Sequence, residues 1–200
     1  MQITSTDVET SVGRARVHLS GLGNGLVVLG HGAGGGVDAV DLLAARHAAD
    51  RLGWRVALVE QPWRVRGRRI AEAPVRLDAA WVDVLATLNG TPKVVGGRSA
   101  GARVACRTAE QVGADAVLCL AFPLHPPGRP ERSRLSELEA VAVPVLVVQG
   151  ERDAFGMPPQ AVVVPGADHG FRVRKGLPAA APQITRLVEQ WLSGLDPSCR

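Results

Sequence analysis

Lys93-Val94-Val95-Gly96-Gly97-Arg98-Ser99-Ala100-Gly101-Ala102-Arg103-Val104-Ala105 is the stretch on which the reading of this chain turns. Residues 93–97 form a short apolar run closed by glycine, the pattern of a strand buried on both faces, and residues 100–112 carry apolar side chains at helical spacing. Gly97-Arg98-Ser99-Ala100-Gly101 fits G-x-S-x-G at the point where strand gives way to helix. A serine there occupies a strained turn, and glycines two before and two after it leave room for the surrounding backbone. The amides that open the following helix point at the same place and favour negative charge. Ser99 is therefore expected as a nucleophile, with the Ala100 N–H as one donor to the charge that develops on attack.

Outward from this stretch, apolar runs alternate with helical patterns. Strands are expected over residues 25–30, 54–60, 116–122, 143–149 and 160–164, and helices over 38–52, 75–89 and 181–195. Asp38 is the expected N-cap of the helix over 38–52 and Gly53 its stop. Residues 14–19 read as an additional edge strand. Continuous apolar strands separated by helices imply a mostly parallel sheet covered on both faces, a three-layer α/β sandwich. No repeat, low-complexity tract or long linker divides residues 1–200, so one domain is expected. In such sheets ligands sit beyond the carboxyl ends of the strands, and the question becomes what each strand delivers there.

The strand over 143–149 runs into Gly150-Glu151-Arg152-Asp153, and the one over 160–164 into Pro165-Gly166-Ala167-Asp168-His169-Gly170-Phe171. Ser99, Asp153 and His169 thus follow one another in the order nucleophile, acid, base. A neutral imidazole must take the serine proton, and a carboxylate must fix its tautomer and stabilise its cation. Asp168 or Glu151 are alternative acids, and Asp153 also suits a turn. After residues 25–30 comes His31-Gly32-Ala33-Gly34-Gly35-Gly36, a loop that can aim backbone amides at an oxyanion. Ala33 or its neighbour Gly34 is the expected second donor beside Ala100, with His31 bracing the loop through a hydrogen bond. The same loop supports a competing reading. Gly30, Gly32 and Gly35 fit G-x-G-x-x-G after a strand, and Glu60 ends the next strand at about the spacing of a dinucleotide fingerprint.

With these residues in place the chain resembles the α/β-hydrolase superfamily. Within it the likeness is to the small α/β-hydrolase-like family typified by the testis-expressed and NSL-complex-subunit proteins, and more distantly to dienelactone hydrolases. The likeness runs through H-G-A-G-G-G, then G-G-R-S-A-G-A-R-V-A at residues 96–105 and F-P-L-H-P-P-G-R-P-E at 122–131. It continues through V-P-V-L-V-V-Q-G-E-R-D-A-F-G at 143–156 and A-D-H-G-F at 167–171. The resemblance implies the α/β-hydrolase fold without a cap domain. It implies no substrate; the order Ser99, Asp153, His169 and the donor loop are what point to a serine hydrolase of esterase or thioesterase type, acting on a small-molecule ester through an acyl-enzyme. The proline-rich P-L-H-P-P-G segment is the most distinctive part of the likeness; lying beyond the strand over 116–122, it either brings Leu124 and His125 to wall the site or forms a rigid proline-rich turn. His31 and Arg98 are expected beside them, as pocket or supporting residues. One departure stands out: only Ala154 to Pro159 remain for the crossover between Asp153 and the last strand, so a turn or a single helical turn is expected there.

Composition narrows the rest. Apolar residues make up 46% and charged residues 21%, the balance of a folded globular chain. The N-terminus lacks a basic start and an apolar h-region, no run approaches a membrane span, and the three cysteines show no C-x-x-C spacing. A cytoplasmic protein with reduced thiols is expected, with no membrane partner. The five histidines are scattered without ligand spacing, so neither metal nor other cofactor is expected. The net charge is +4, and its densest cluster is Arg64, Arg66, Arg68 and Arg69. That run reads as a solvated loop, since no stacking aromatics follow it, and nucleic acid is not an expected partner. The alternatives to a hydrolase are a non-catalytic interaction module of the same fold and a dinucleotide-binding protein. Substrate identity and oligomeric state are not legible.

Overall fold

The computed structural model describes residues 3–91 and 93–195. Cys199 lies outside them. In chain order the elements are β1 (Thr4–Thr10), β2 (Gly13–Ser20), β3 (Leu26–Gly30), α1 (Val40–Arg51), β4 (Arg55–Glu60), α2 (Pro62–Val65) and α3 (Pro74–Ala86). They continue with β5 (Lys93–Arg98), α4 (Ala100–Thr108), β6 (Ala116–Leu120), α5 (Leu135–Glu139), β7 (Val145–Gly150), β8 (Val162–Val164) and α6 (Ala180–Ser193). The strands form one sheet in the order β1-β2-β4-β3-β5-β6-β7-β8. From β4 to β8 every pairing is parallel; β1 with β2 and β2 with β4 are antiparallel. This is the α/β-hydrolase fold, and no cap domain stands over the sheet among the described residues.

Strand β3 shows why apolar runs became central strands. All five of its residues are buried, and their side chains alternate between the two faces. Val27 and Leu29 join the core under α1 and α6, with Leu42, Ala45, Ala48, Ile184, Val188 and Leu192. Leu26 and Val28 join the core on the other face, with Trp63, Trp81, Val104 and Phe122. A polar residue on either face of β3 would be stranded in a core, which is why the strand reads as an uninterrupted apolar run.

Several expectations change. The segment over 14–19 is not the edge: β1 pairs outside β2 through a tight turn at Ser11 and Val12. Strand β1 (T-S-T-D-V-E-T) is mostly exposed, so it has no apolar alternation to betray it. Cross-strand charge pairs hold it instead. Asp7 faces Arg16 with 2.7 Å between Oδ1 and Nε, and Glu9 faces Arg14 at 2.9 Å. Asp38 is not the cap of α1, because Ala39 precedes the helix and no side chain caps it. Gly53 does stop that helix, with φ at +75°. The short elements α2 and α5 fall below the length at which periodicity is readable. Within the arginine run, Arg66 and Arg68 turn back onto Glu72, at 2.5 and 3.8 Å. Residues 151–161 join β7 to β8 through turns without a helix, and β8 shrinks to three residues.

Candidate active site

Ser99 sits between β5 and α4 with φ 52° and ψ −106°, a left-handed conformation that a non-glycine residue adopts only under constraint. The constraint is the packing of β3 against the turn. A Cβ on Gly97 or on Gly101 would collide with the Gly30 carbonyl oxygen. Glycine at both positions lets the strands and the helix close around Ser99. The Ser99 N–H donates to Leu120 O at 2.9 Å, and its carbonyl accepts from Arg103 N–H at 3.2 Å. The backbone is fixed from both sides, while the side chain faces outward.

The loops beyond β7 and β8 bring the other two predicted residues to it. His169 Nε2 lies 3.0 Å from Ser99 Oγ, and His169 Nδ1 lies 2.8 Å from Asp153 Oδ2. The carboxylate accepts at Nδ1–H, so the proton sits on Nδ1 and the Nε2 lone pair faces the serine hydroxyl. The Asp153 side chain is fully buried. Burying a carboxylate costs several kcal/mol, and three donors offset that: His169 Nδ1, Gln149 Nε2 at 2.8 Å and Phe155 N–H at 2.8 Å. Hydrogen bonds to a charged acceptor contribute about 1.5–3 kcal/mol each. The alternative acids are engaged elsewhere. Asp168 Oδ1 accepts from the Gly170 and Arg172 amides, and Glu151 Oε2 accepts from Gly166 N–H.

Residues 31–36 approach from β3, on the other side of β5. His31 is buried and bridges two backbones: Gln61 N–H donates to Nε2 at 3.1 Å, and Nδ1 donates to Gly32 O at 2.9 Å. Burial pushes its imidazole below the ordinary histidine range, and Trp63 packs edge-on against the ring at 5.3 Å. The Gly32 carbonyl therefore faces His31, and in a trans peptide the following Ala33 N–H points the opposite way. Gly32 itself lies against the serine, where an added Cβ would stand 3.4 Å from Ser99 Cβ. Among the described residues neither the Ala33 nor the Ala100 amide has a protein acceptor. Gly34 faces open space.

The remaining expected residues divide. Arg98 Nη2 donates to His169 O at 2.9 Å, and its Nε lies 3.0 Å from Asp41 Oδ2. His125 braces the turn after Asp153, its N–H donating to Phe155 O at 2.9 Å and its Nδ1 to Pro126 O. Leu124 is on the same loop, but its backbone bonds to Phe122 and Arg134 and none to the Ser99–His169–Asp153 chain. Three neighbours escaped sequence reasoning. Gln149, fully buried, shares its amide between Asp153 and the Phe122 and Gly156 carbonyls. Its signal was a polar residue closing an apolar strand. The Phe155 ring lies 4.1 Å from the His169 imidazole, tilted 33°. Asp41 is a fully buried acid in the first turn of α1, detectable as a charge among inward-facing positions. Glu60, the acid at the spacing of the dinucleotide pattern, pairs with His18 at 3.0 Å. Among the described residues no group of three or more histidine, cysteine or acidic side chains could hold a metal ion. No helix among them is long and apolar enough to cross a membrane. A groove of about 660 Å³ between α1 and α6 includes none of the residues around Ser99.

Residues 23–190 match the family of the alpha/beta hydrolase domain. The chain belongs to the α/β-hydrolase superfamily. Among solved structures it is similar to an α/β serine hydrolase without a lid from Xanthomonas campestris, at 18% identity and TM-score 0.73 over 98% of this chain and 96% of that one. It is also similar to an α/β serine hydrolase homologue from Coxiella burnetii, at 19% identity and TM-score 0.72 over 96% and 98%. A dienelactone hydrolase from Anabaena variabilis aligns at 19% identity and TM-score 0.74 over 97% and 98%. No curated protein matches the sequence.

Proposed function

We propose that this protein is a serine hydrolase that cleaves ester-type bonds of small molecules through an acyl-enzyme. The observation that carries the reading is the unbroken chain from Ser99 Oγ to His169 at 3.0 Å and on to Asp153 at 2.8 Å. Ser99 Oγ attacks the substrate carbonyl carbon as His169 Nε2 takes its proton, and Asp153 holds the imidazolium that results. The carbonyl π electrons move onto oxygen, where the Ala33 and Ala100 amides, with Gly34 adjacent, donate to the oxyanion. Collapse of this intermediate expels the alcohol or thiol, which leaves with the proton from His169. A water molecule activated by the same histidine then attacks the acyl-enzyme, and the acid departs with Ser99 restored. No step calls on a metal or other cofactor.

A fluorophosphonate probe tests the reading. The wild-type protein is expected to be labelled covalently, and Ser99→Ala to remain unlabelled while keeping its thermal unfolding midpoint. Absence of labelling in folded wild-type protein overturns it and favours a non-catalytic module on the same fold.

A further inference from the structure

We infer that buried Asp41 and half-buried Arg98 form a strut that positions His169, an inference that rests on the proposed hydrolase reading. Arg98 immediately precedes Ser99, so one residue joins the nucleophile turn to the loop that brings the base. The His169 loop is closed by its own bonds at nearly every point. Asp168 Oδ1 takes the Gly170 and Arg172 amides, Phe171 N–H reaches Asp168 O, and Asp168 N–H reaches Arg172 O. The carbonyl of His169 itself is held from outside the loop, by Arg98 Nη2 at 2.9 Å. That bond fixes the peptide plane next to the imidazole, and so the direction in which the ring leaves the backbone.

Asp41 holds the guanidinium in turn. Its carboxylate is fully exposed to the field of Arg98 and not at all to solvent: it is 0% exposed and lies 3.0 Å from Arg98 Nε. The Asp41–Arg98 contact is an ion pair without hydrogen-bond alignment. Burial raises the Asp41 carboxyl above its ordinary range. Arg98 acts against that rise, as do the Asp41 and Leu42 amides near the same carboxylate in the first turn of α1, where the helix dipole favours an anion. Three glycines make the guanidinium's berth. A Cβ on Gly32 would stand 3.3 Å from Arg98 Nη1, one on Gly35 4.0 Å from the same atom, and one on Gly170 3.7 Å from Nη2. These glycines belong to the donor loop and to the His169 loop, so the arginine is wedged between the two loops that must stay in register with Ser99.

Arg98 and Asp41 are positioning residues, and the test must separate position from bulk stability. Arg98→Ala is expected to slow fluorophosphonate labelling and to lower kcat on p-nitrophenyl acetate by about 100-fold, the scale of an ångström-sized misplacement, with KM nearly unchanged. Added methylguanidinium should restore much of the lost rate, and equimolar sodium chloride should not. Arg98→Lys keeps the charge beside Asp41 but lacks the fork that reaches His169 O, so it should fold and remain slow. In Asp41→Asn the loss should be smaller, and the double variant Asp41→Asn/Arg98→Ala should be no slower than Arg98→Ala alone. The imidazole Nδ1–H resonance of His169, followed in ¹⁵N-histidine-labelled protein, reports position without any turnover. It should be sharp in wild type and broadened or lost in Arg98→Ala and Arg98→Lys. If wild type fails to react with the probe while this resonance behaves as described, the hydrolase reading falls and the strut stands. If Arg98→Lys keeps both the resonance and the rate, or if lost rate in Arg98→Ala is not restored by methylguanidinium, the strut is overturned.

Discussion

The loop of residues 31–36 and the turn around Asp153 reach Ser99 from opposite sides of β5, and they are held in different ways. The Asp153 turn presents a side chain, and every atom of that carboxylate has work: Oδ2 accepts from His169 and Gln149, and Oδ1 from Phe155 N–H. The donor loop presents only backbone, and Ala33 and Gly34 are exposed. A single buried histidine links it to the start of α2 through Gln61. In the proposed reaction the difference follows from what each must deliver. A carboxylate taken out of water needs several donors to remain charged, whereas an amide offered to an oxyanion must be left without a partner. The acid side is expected to fail sharply when one group is changed, and the donor side by degrees.

The largest expected effect is on the acid side. Asp153→Asn should lower kcat by about 10⁴-fold on p-nitrophenyl acetate with the fold intact, because the amide no longer holds the tautomer that leaves Nε2 free. Circular dichroism and steady-state rates together check this. Next, Gln149→Leu removes one of the donors to Asp153 and its bonds to the Gly156 and Phe122 carbonyls, the latter keeping only the Leu124 N–H. It should cost about 1–3 kcal/mol in urea denaturation, with a smaller fall in rate than Asp153→Asn. On the donor side, His31→Leu leaves the buried Gln61 amide unpaired and frees the Gly32 carbonyl. A loss of about 10-fold in kcat, well short of removing a donor outright, would fit a loop that loosens without losing its amides.

His31 also gives the comparison a pH axis. Its folded pKa lies below the ordinary value of 6.5, so the native state stays neutral where the unfolded chain begins to take up a proton. Below about pH 6.5 the unfolded state then binds more protons, and stability falls as pH drops toward the folded pKa; above it this contribution is fully present. Urea midpoints at about pH 7.5 and 5.5 should therefore fall further for wild type than for His31→Leu. Equal slopes would mean that the histidine is not the group that refuses the proton. The smallest effect is expected for the Phe155–His169 ring contact alone: a double-mutant cycle of Phe155→Ala with His169→Ala, read by urea denaturation, should give a coupling of about 0.5–1.5 kcal/mol.

Much of this was legible in the sequence because the chemistry follows strand ends. Ser99 and Asp153 each come just after a run too apolar to be anything but buried, and such runs need no partner to be recognised; the run before His169 is as apolar, yet Val162 and Val163 in it are exposed. What supports them was not legible, because it depends on contacts far apart along the chain. Gln149 meets Phe122, and Arg98 meets both Asp41 and His169. No local pattern announces such a meeting. Strand β1 was missed for the opposite reason, being polar and held by charge pairs across a hairpin. Asp38 looked like a cap because aspartate favours that position, yet the loop from Gly36 delivers Ala39 there instead.

The contact between Gly30 and the two glycines of the serine turn separates two kinds of intolerance. At Gly101 or Gly97 any side chain runs into the Gly30 carbonyl, so every substitution damages the fold itself. At Ser99 the side chain points away from that contact, so alanine costs chemistry alone. A saturation library scored for cellular abundance should therefore show deep depletion at the two glycines and almost none at Ser99→Ala. The same library scored for probe labelling should show all three positions equally empty.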